Sequence, residues 1–482
     1  MTMAKARPRV SGLRREGHRP RARVPAPPSS CDNRRPVRAV IAICLLTLAG
    51  CSIDMPPADF AACGPTEPLP DAGTATPDYW HDAKPIIDNK CASCHVDGGI
   101  APIVLVSYGM VRDWAGLIRN AITRKLMPPW PPNDCCESYQ HDRSLSAVEL
   151  DTLVRWIDAG TPEGDPVGAP PSVPLPPPRL SRVDVTLRMP EAYTPVAQEE
   201  TSELRCFVLD DWPYDVEMYV TGVDVRPGNR AIVHHVIVQT IDAAAVPGLK
   251  AREGADGRPG LDCRDLKGEL HVNGAAGGWT PGSVPQESPD GTLGVPFPAH
   301  SQVLLQVHYD VRAGVTMPDQ MEIDFQVSPT IKHRLRALVA ANPLWLANEG
   351  LEVEAGNPDA WHNFAYDPTV IYTKDKPLFI QAVNLHMHFL GSRGRIGIHR
   401  SDGSWDCLLD IPEWDYHWSS WYQLAQPVQF NPGDMLYVEC HWDNTAANQA
   451  PVNGKLPVPR DLHWATAGEM CAALALFTDT WP

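Results

Sequence analysis

The sequence predicts a multidomain protein in which a small all-α domain precedes two all-β sandwiches. Residues 78–165 carry apolar residues at helical spacing. Residues 166–178 then hold seven prolines in thirteen positions. Beyond this stretch come short β-branched and aromatic runs separated by Gly, Pro, Asn and Asp, which indicate strands. Because these runs extend over more residues than one sandwich usually contains, we expect two, divided near residues 326–345.

The boundaries that follow from these patterns define six segments. They are a signal peptide at 1–50, a tether at 51–77, the helical domain at 78–165, a linker at 166–179, and jelly-roll-like sandwiches at 180–330 and 331–482. The linker favours polyproline II, at about 3.1 Å per residue, and therefore forms a semi-rigid spacer on the order of 40 Å long.

The charge of the chain is divided unevenly along its length. The formal net charge is −17, yet residues 1–50 contain 11 Lys and Arg against 2 Asp and Glu, so the remainder is more acidic still. Binding to phosphate backbones depends on basic patches. We therefore expect no nucleic-acid partner.

The basic N-terminal segment ends in an apolar run, Val40 to Ala49, that is too short to cross a membrane as a helix. This pattern predicts a signal peptide. The sequence Leu48-Ala49-Gly50-Cys51 resembles a bacterial lipoprotein box, in which the cysteine is lipidated after cleavage. We expect an exported protein, periplasmic or at the cell surface, that is held on the membrane only by a lipid on Cys51. The alternative is a plain signal peptide with an incidental cysteine.

A haem-attachment motif opens the helical domain. Cys91-Ala-Ser-Cys94-His95 has the spacing for two thioether bonds to haem c, with His95 as the iron ligand. The alternative is a disulfide beside a surface histidine. The domain is similar to a cytochrome c domain, in which a methionine commonly takes the sixth iron position. The segment KLMPPWPP supplies Met127, and Met110 is the reserve candidate.

The helix pattern LSAVELDTLVRWIDAG closes this domain, and either Ser144 or Ser146 could cap it.

Two adjacent histidines lie in an apolar strand pattern. His234 and His235 are embedded in AIVHHVIVQT. An ideal strand directs successive side chains to opposite faces, so joint metal coordination requires a twist or a bulge at this point. Taken alone, the pair is more often packed and hydrogen-bonded than ligating.

Further histidines occur in other strand patterns. His308 lies in SQVLLQVHYD, and His386 and His388 are spaced to share one strand face in QAVNLHMHFLG. Met470 in TAGEMCAAL could add a thioether ligand, which is soft and selects copper, especially Cu(I). His386, His388 and Met470 therefore predict a copper site with an open position.

These motifs, in this order over residues 180–482, resemble the type II copper, ascorbate-dependent monooxygenases, represented by peptidylglycine alpha-hydroxylating and dopamine beta-monooxygenases. The resemblance implies two coppers, one in each of two sandwiches, facing each other across a solvent-filled cleft. His234, His235 and His308 would hold the electron-supplying copper. His386, His388 and Met470 would hold the catalytic copper that activates oxygen.

The resemblance also implies two disulfides, Cys206 with Cys263 and Cys440 with Cys471. The partners of Cys63, Cys135, Cys136 and Cys407 stay open. The tryptophans of WDYHWSSW, residues 414–421, are expected to be structural, although some could line a substrate cleft.

The chain departs from the family at the substrate positions. Where the peptide-hydroxylating enzyme has arginine, asparagine and tyrosine, this sequence has Asn384, Ala472 and Leu474. A glycine-extended peptide is therefore not expected. Without a charged clamp, a neutral substrate and an apolar substrate are equally compatible with the sequence.

The sequence predicts an enzyme that hydroxylates a C–H bond with O2. Its electrons would come from an external reductant, either ascorbate-like or a redox protein, with the haem domain delivering them to the copper at His234, His235 and His308. One alternative is a non-catalytic electron-transfer or metal-binding lipoprotein with haem and copper. Another is a cytochrome fused to sandwiches that bind a cell-surface polymer.

Overall fold

The computed structural model describes residues 75–99, 101–171, 179–196, 202–209, 211–241, 243–263, 272–281, 283–310, 317–347, 350–449, 456–465 and 468–482. The predicted signal peptide, the predicted lipid-anchor residue Cys51 and the cysteine Cys63 lie outside these residues. Among the described helices, none is both long enough and apolar enough to pass through a membrane.

Four α-helices form the N-terminal part of the described chain. They pack around a small core that includes Tyr79, Ile87, Leu153 and Trp156. A π-helical turn, Tyr79–Ala83, leads into the first helix. The helices are α1 Lys84–Lys90, α2 Tyr108–Asp113, α3 Ala115–Thr123 and α4 Ala147–Asp158.

Ser146, rather than Ser144, caps helix α4. Its hydroxyl accepts from the N–H of Glu149 at 3.2 Å, and its own N–H donates to the Glu149 carboxylate at 2.8 Å. This reciprocal pair satisfies two N–H groups that a helix terminus leaves without partners.

Two sheets built from residues 185–334 form the first sandwich. One has the order β1-β10-β3-β8-β11, with β7 paired to β3, and the other has the order β5-β2-β9-β4-β6. A core that includes Phe207, Val236, Phe297 and Phe325 lies between them. The strands are β1 Val185–Arg188, β2 Ser202–Val208, β3 Met218–Arg226, β4 Val233–Ile241, β5 Leu261–Asp262, β6 Val272–Trp279, β7 Gln286–Glu287, β8 Leu293–Phe297, β9 Gln302–Asp310, β10 Glu322–Ser328 and β11 His333–Arg334, with helix α5 at Val246–Lys250.

The remaining strands form the second sandwich. Its main sheets have the orders β12-β21-β15-β18 and β14-β19-β16-β17, and β13 pairs with β20. The strands are β12 Arg336–Ala340, β13 Glu352–Val353, β14 Ala360–Tyr366, β15 Leu378–His386, β16 Gly391–His399, β17 Trp405–Ile411, β18 Tyr422–Phe430, β19 Met435–Trp442, β20 Leu462–His463 and β21 Ala472–Thr478, with helices α6 Pro343–Leu346 and α7 Thr369–Tyr372. The predominance of β-sheet agrees with the predicted sandwiches.

The helical part is fastened to the second sandwich at one segment. Tyr139 pairs with Leu424 in a β-bridge and is buried in the core of the second sandwich, where its hydroxyl donates to the carbonyl of Leu408 at 2.9 Å. A disulfide joins Cys136 to Cys407. The proline-rich linker is therefore not the only connection between the helices and the sandwiches.

Candidate metal centres

A β-bulge brings His234 and His235 to the same side of the sheet. Strand β4 pairs with β9 so that Val233 lies opposite Tyr309 and His235 lies opposite His308, which leaves His234 as the additional residue. A bulge of this kind re-aims one side chain out of the alternating pattern. The sequence analysis required such an irregularity for joint coordination, and the structure contains it.

His234, His235 and His308 form a compact cluster, which we call the first cluster. One ring nitrogen from each lies within 4.8 Å of the other two. The Nδ1 atoms of His234 and His235 are 3.1 Å apart, and the ring of His308 lies 5.0 Å and 4.8 Å from those of His234 and His235, centroid to centroid. Three converging imidazole nitrogens are a donor set that suits copper or zinc. The residues present therefore fit a bound metal ion.

His386, His388 and Met470, which we call the second cluster, lie near the paired ends of β15 and β21. The rings of His386 and His388 lie 5.2 Å apart. His386 pairs with Ala472 at the start of β21, and Met470 lies two residues before that strand. The strand register therefore brings the Met470 segment beside the two histidines. A set of two imidazoles and a thioether fits copper better than zinc.

The electrostatics of the second cluster keep both imidazoles neutral. Burial, with a smaller contribution from the charge of His388, lowers the pKa of His386 to about 3. Burial also lowers the pKa of His388, against the hydrogen bond to Gly468, which raises it. Neutral imidazoles offer the lone pair that a metal ion needs.

Only His386 of this pair lies within a strand, which differs from the predicted arrangement on one strand face. β15 ends at His386, and His388 lies in the turn that follows. The carboxylate of Glu469 accepts hydrogen bonds from the N–H of His388 at 3.0 Å and from the N–H of Leu390 at 2.9 Å. These bonds replace the ones that a neighbouring strand would provide. The two rings nevertheless lie 5.2 Å apart, centroid to centroid.

Glu469 is a residue that the sequence analysis did not identify. It is 1% exposed and also accepts from the indole N–H of Trp442 at 2.8 Å. Burial raises the pKa of Glu469 to about 7, while hydrogen bonds from Leu390 and His388 lower it. The available signal was its position beside Met470, but a glutamate at that position does not by itself indicate burial.

The carbonyl of Gly468 orients the ring of His388. It lies 2.9 Å from His388 Nδ1. Because a carbonyl can only accept, Nδ1 carries the proton and Nε2 keeps its lone pair. An interaction of this kind is a common support for metal-ligating histidines.

The aromatic segment 414–421 lies against both clusters. The ring of Tyr416 lies 5.7 Å from His308 and 6.3 Å from His388, and the ring of Trp418 lies 6.4 Å from His234. The indole of Trp414 donates to the carbonyl of His388 at 3.1 Å. The tryptophans were expected to be structural, with some of them able to line a substrate cleft, and Trp414 and Trp418 lie beside histidines of the two clusters.

The haem motif has a histidine whose orientation is fixed in the same way as that of His388. His95 Nδ1 lies 2.9 Å from the carbonyl of Ile103, so Nε2 retains its lone pair. Cys91 and Cys94 are free cysteines and do not form a disulfide with each other. The candidate sixth ligands, Met110 and Met127, are 45% and 38% exposed.

The haem motif lies close to the first sandwich. Burial raises the pKa of the Cys94 thiol, and the nearby charges of Arg143 and Arg230 oppose part of that rise. A cavity of about 460 Å³ is lined by Gly98 from the helical part and by Pro227, Gly228, Asn229, Arg230, Met317 and Pro318. Arg143 donates to the carbonyl of Pro281 at 2.8 Å. The turn at 227–230 leads directly toward His234.

Three disulfides connect described residues. Cys206 bonds to Cys263 and Cys440 bonds to Cys471, the two pairs that the resemblance implied. The third, Cys136 with Cys407, was left open by the sequence. The Cys440–Cys471 bond fixes β19 to the residue that follows Met470.

The positions that the resemblance assigns to the substrate carry no charge in this chain. The side-chain amide of Asn384 donates to the carbonyl of Ser420 at 2.7 Å, so it supports the aromatic segment. Ala472 and Leu474 are part of β21. The arginine clamp expected for a peptide carboxylate is absent from these positions.

Comparison with known proteins finds one family. Residues 365–476 match the family described as "Copper type II ascorbate-dependent monooxygenase, C-terminal domain". This span includes all three residues of the second cluster. No curated protein matches the chain.

Among solved structures, the chain has a weak likeness to a two-domain protein of unknown function from Bacteroides fragilis NCTC 9343. The sequence identity is 9%, the TM-score is 0.15, and the match covers 57% of this chain and 84% of the other. These values are too low for the likeness to bear on the fold or the function.

Proposed function

We propose that the chain is a copper-dependent monooxygenase that hydroxylates a C–H bond of a small organic molecule with O2. The observation that supports this most directly is the match of residues 365–476 to the monooxygenase C-terminal domain, together with the presence of His386, His388 and Met470 inside that span. When bound, copper would supply one-electron transfers and the activation of O2.

The first cluster supports the proposal that the chain binds a second, electron-supplying copper ion. Three imidazole nitrogens, one each from His234, His235 and His308, lie within 4.8 Å of one another, and this donor set suits the electron-supplying copper. The donors of the second cluster differ by one thioether, which favours Cu(I). The proposed reaction needs two electrons, and two copper sites with different donor sets could each provide one of them.

The residues around the second cluster orient its ligands. Gly468 and Glu469 fix His388, and Tyr416 packs against Phe389 with a centroid distance of 4.1 Å. Since Asn384, Ala472 and Leu474 provide no charge, we propose a neutral or apolar substrate. One oxygen atom would enter the substrate, and the other would leave as water with two electrons and two protons.

We further propose that the helical part is a cytochrome c-like domain that delivers electrons to the first cluster. Cys91 and Cys94 would attach haem c, and His95 would ligate its iron through Nε2, with Met127 as the sixth ligand. The position of Arg143 and of the cavity beside Arg230 supports this route, because the haem motif lies next to the turn that leads to His234. An external reductant, either ascorbate-like or a redox protein, would supply electrons to the haem. We also propose that the protein is exported and anchored by a lipid on Cys51.

Metal analysis of the purified mature chain is the first test. After reconstitution with copper and dialysis, we expect two coppers and one iron per chain. His386→Ala and His234→Ala should each remove one copper and leave the iron. A chain with no tightly held copper would overturn the monooxygenase proposal while leaving the cytochrome proposal intact.

Oxygen uptake separates the enzyme from an electron-transfer protein. A panel of neutral aromatic and aliphatic compounds should include at least one that stimulates O2 consumption in the wild-type chain and not in Met470→Ile. Copper binding without substrate-dependent uptake across the panel would favour the non-catalytic alternative.

A further inference from the structure

We propose that Glu469 is the positioning residue of the second cluster, holding the two segments that carry His388 and Met470 in one fixed arrangement. This inference rests on the proposed copper site at His386, His388 and Met470. Glu469 would act by positioning the segments of His388 and Met470 and would not contact the substrate.

The carboxylate of Glu469 is a buried acceptor whose two oxygens are both used. Oε1 accepts from the N–H of Leu390 at 2.9 Å. Oε2 accepts from the N–H of His388 at 3.0 Å and from the indole N–H of Trp442 at 2.8 Å. The backbone of Met470 also hydrogen-bonds to this carboxylate. These N–H groups are shielded from water, so each of them depends on the carboxylate for its hydrogen bond.

These donors come from three separate parts of the second sandwich. His388 and Leu390 belong to the turn after β15, Trp442 ends β19, and Met470 precedes β21. The His388 turn therefore cannot shift relative to the Met470 segment without breaking bonds to one carboxylate. The carbonyl of Gly468 adds a second tie to His388 from the same segment.

A metal site gains affinity when its ligands are already in place. Met470 would supply a weak thioether ligand. If its segment moved away from the histidines, the copper–sulfur bond would break before the copper–histidine bonds. Residues that orient metal ligands typically change metal affinity by about 10–100-fold when they are replaced. Glu469 has the contacts expected of such a residue.

Glutamine cannot replace the carboxylate in this environment. It would keep one oxygen and place an NH2 group where an N–H donor already points, which leaves buried donors facing each other. The substitution Glu469→Gln nevertheless preserves size, so it tests the acceptor rather than the packing.

The first cluster serves as an internal reference for the experiment. We would titrate the full-length, metal-free chain with copper under competition from a chelator, and record X-ray absorption of the Cu(I) form. For Glu469→Gln we expect one copper to bind about 10–100-fold more weakly, with loss of the copper–sulfur signal, and the other to bind as in the wild type.

Glu439→Gln is the matched control. Glu439 is also buried in the second sandwich, at 3% exposure, and accepts from Tyr437 and His441 on strand β19, with no hydrogen bond to a residue of the second cluster. Loss of a buried carboxylate should therefore lower the stability of both variants. The copper–sulfur signal should be lost only in Glu469→Gln.

If Glu469→Gln does not fold, Trp442→Phe removes a single donor and should weaken the same copper by a smaller factor. Wild-type affinity and sulfur signal in both Glu469→Gln and Trp442→Phe would overturn the inference, and so would equal weakening by Glu439→Gln. A wild-type chain that binds only one copper, without sulfur, would overturn the proposed function itself.

Discussion

The ring of Tyr416 lies 5.7 Å from the ring of His308, centroid to centroid, although Tyr416 follows β17 of the second sandwich and His308 lies in β9 of the first. The same tyrosine ring lies 6.3 Å from His388. Both separations fall within the range of edge-to-face aromatic contacts. One side chain therefore spans the gap between the first and second clusters, where the resembled family has a solvent-filled cleft.

The Tyr416 contacts predict that two copper ions in the chain sense each other. With Cu(II) in both clusters, we expect pulsed electron paramagnetic resonance to detect dipolar coupling between them. The coupling should disappear in His386→Ala and in His234→Ala, since each variant leaves a single ion. Two uncoupled Cu(II) signals in the fully loaded wild type would contradict the adjacency of the clusters.

Gly468→Ala should weaken the second cluster through a backbone displacement. An added Cβ at Gly468 would lie 2.3 Å from the carbonyl oxygen of His463, so the backbone has to move. The carbonyl that orients His388 moves with it, and we expect copper affinity at this cluster to fall about 10-fold or more.

Gly116→Ala is the control for the Gly468 substitution. A Cβ at Gly116, within α3, meets no atom within 4 Å, so this change should leave both copper affinities unaltered. Copper titration of the two variants decides the matter. Unchanged binding in Gly468→Ala would show that the Gly468 carbonyl has no part in orienting His388.

The acid stability of the first sandwich should depend on Asp256. Arg205, which is fully buried, donates to both Asp256 oxygens at 2.6 Å and 2.9 Å, and this holds the pKa of Asp256 well below its usual range. Because the folded-state pKa is depressed, the pair stabilises the fold above the unfolded-state pKa of about 3.9 and ceases to do so as the pH falls through the folded-state value.

Asp256→Asn should therefore lower Tm at neutral pH, and its difference from the wild type should shrink as the pH falls below about 4. Thermal unfolding between pH 7 and pH 3 measures both curves. Curves that stay parallel over this range would show that the charge of Asp256 does not contribute.

Met127 and Met110 can be distinguished by the haem potential. We expect Met127→Ala to shift the reduction potential of the haem and to change its absorption spectrum, because loss of a thioether ligand alters the iron environment. Met110→Ala is the matched comparison and should change neither. The reverse pattern would transfer the ligand assignment to Met110.

Much of the first cluster could be predicted from the sequence. Adjacent histidines in a β-branched run predict a strand, and the need for both rings on one side predicts a bulge, which the register at Val233 and His235 contains. His386 and Met470 could also be placed near each other by motif. Local patterns sufficed for the first cluster because His234, His235 and His308 each lie within a strand.

Glu469 and Tyr416 could not be predicted because their roles depend on contacts between distant segments. The carboxylate of Glu469 meets donors from the His388 turn and from Trp442, and no local pattern shows that these converge. The aromatic segment around Tyr416 has a composition that suits an ordinary core. Likewise, the pairing of Cys136 with Cys407 spans 271 residues, and the sequence alone left four cysteines without partners.

The Cys136–Cys407 bond has a consequence for how the parts of the chain meet. A module attached only by a flexible linker contacts its neighbour in proportion to an effective concentration that linker length determines. Here a covalent bond and the buried Tyr139 keep the helical part on the second sandwich, so the contact does not depend on linker dynamics. Electron transfer from the helical part would then not depend on the length of the proline-rich linker.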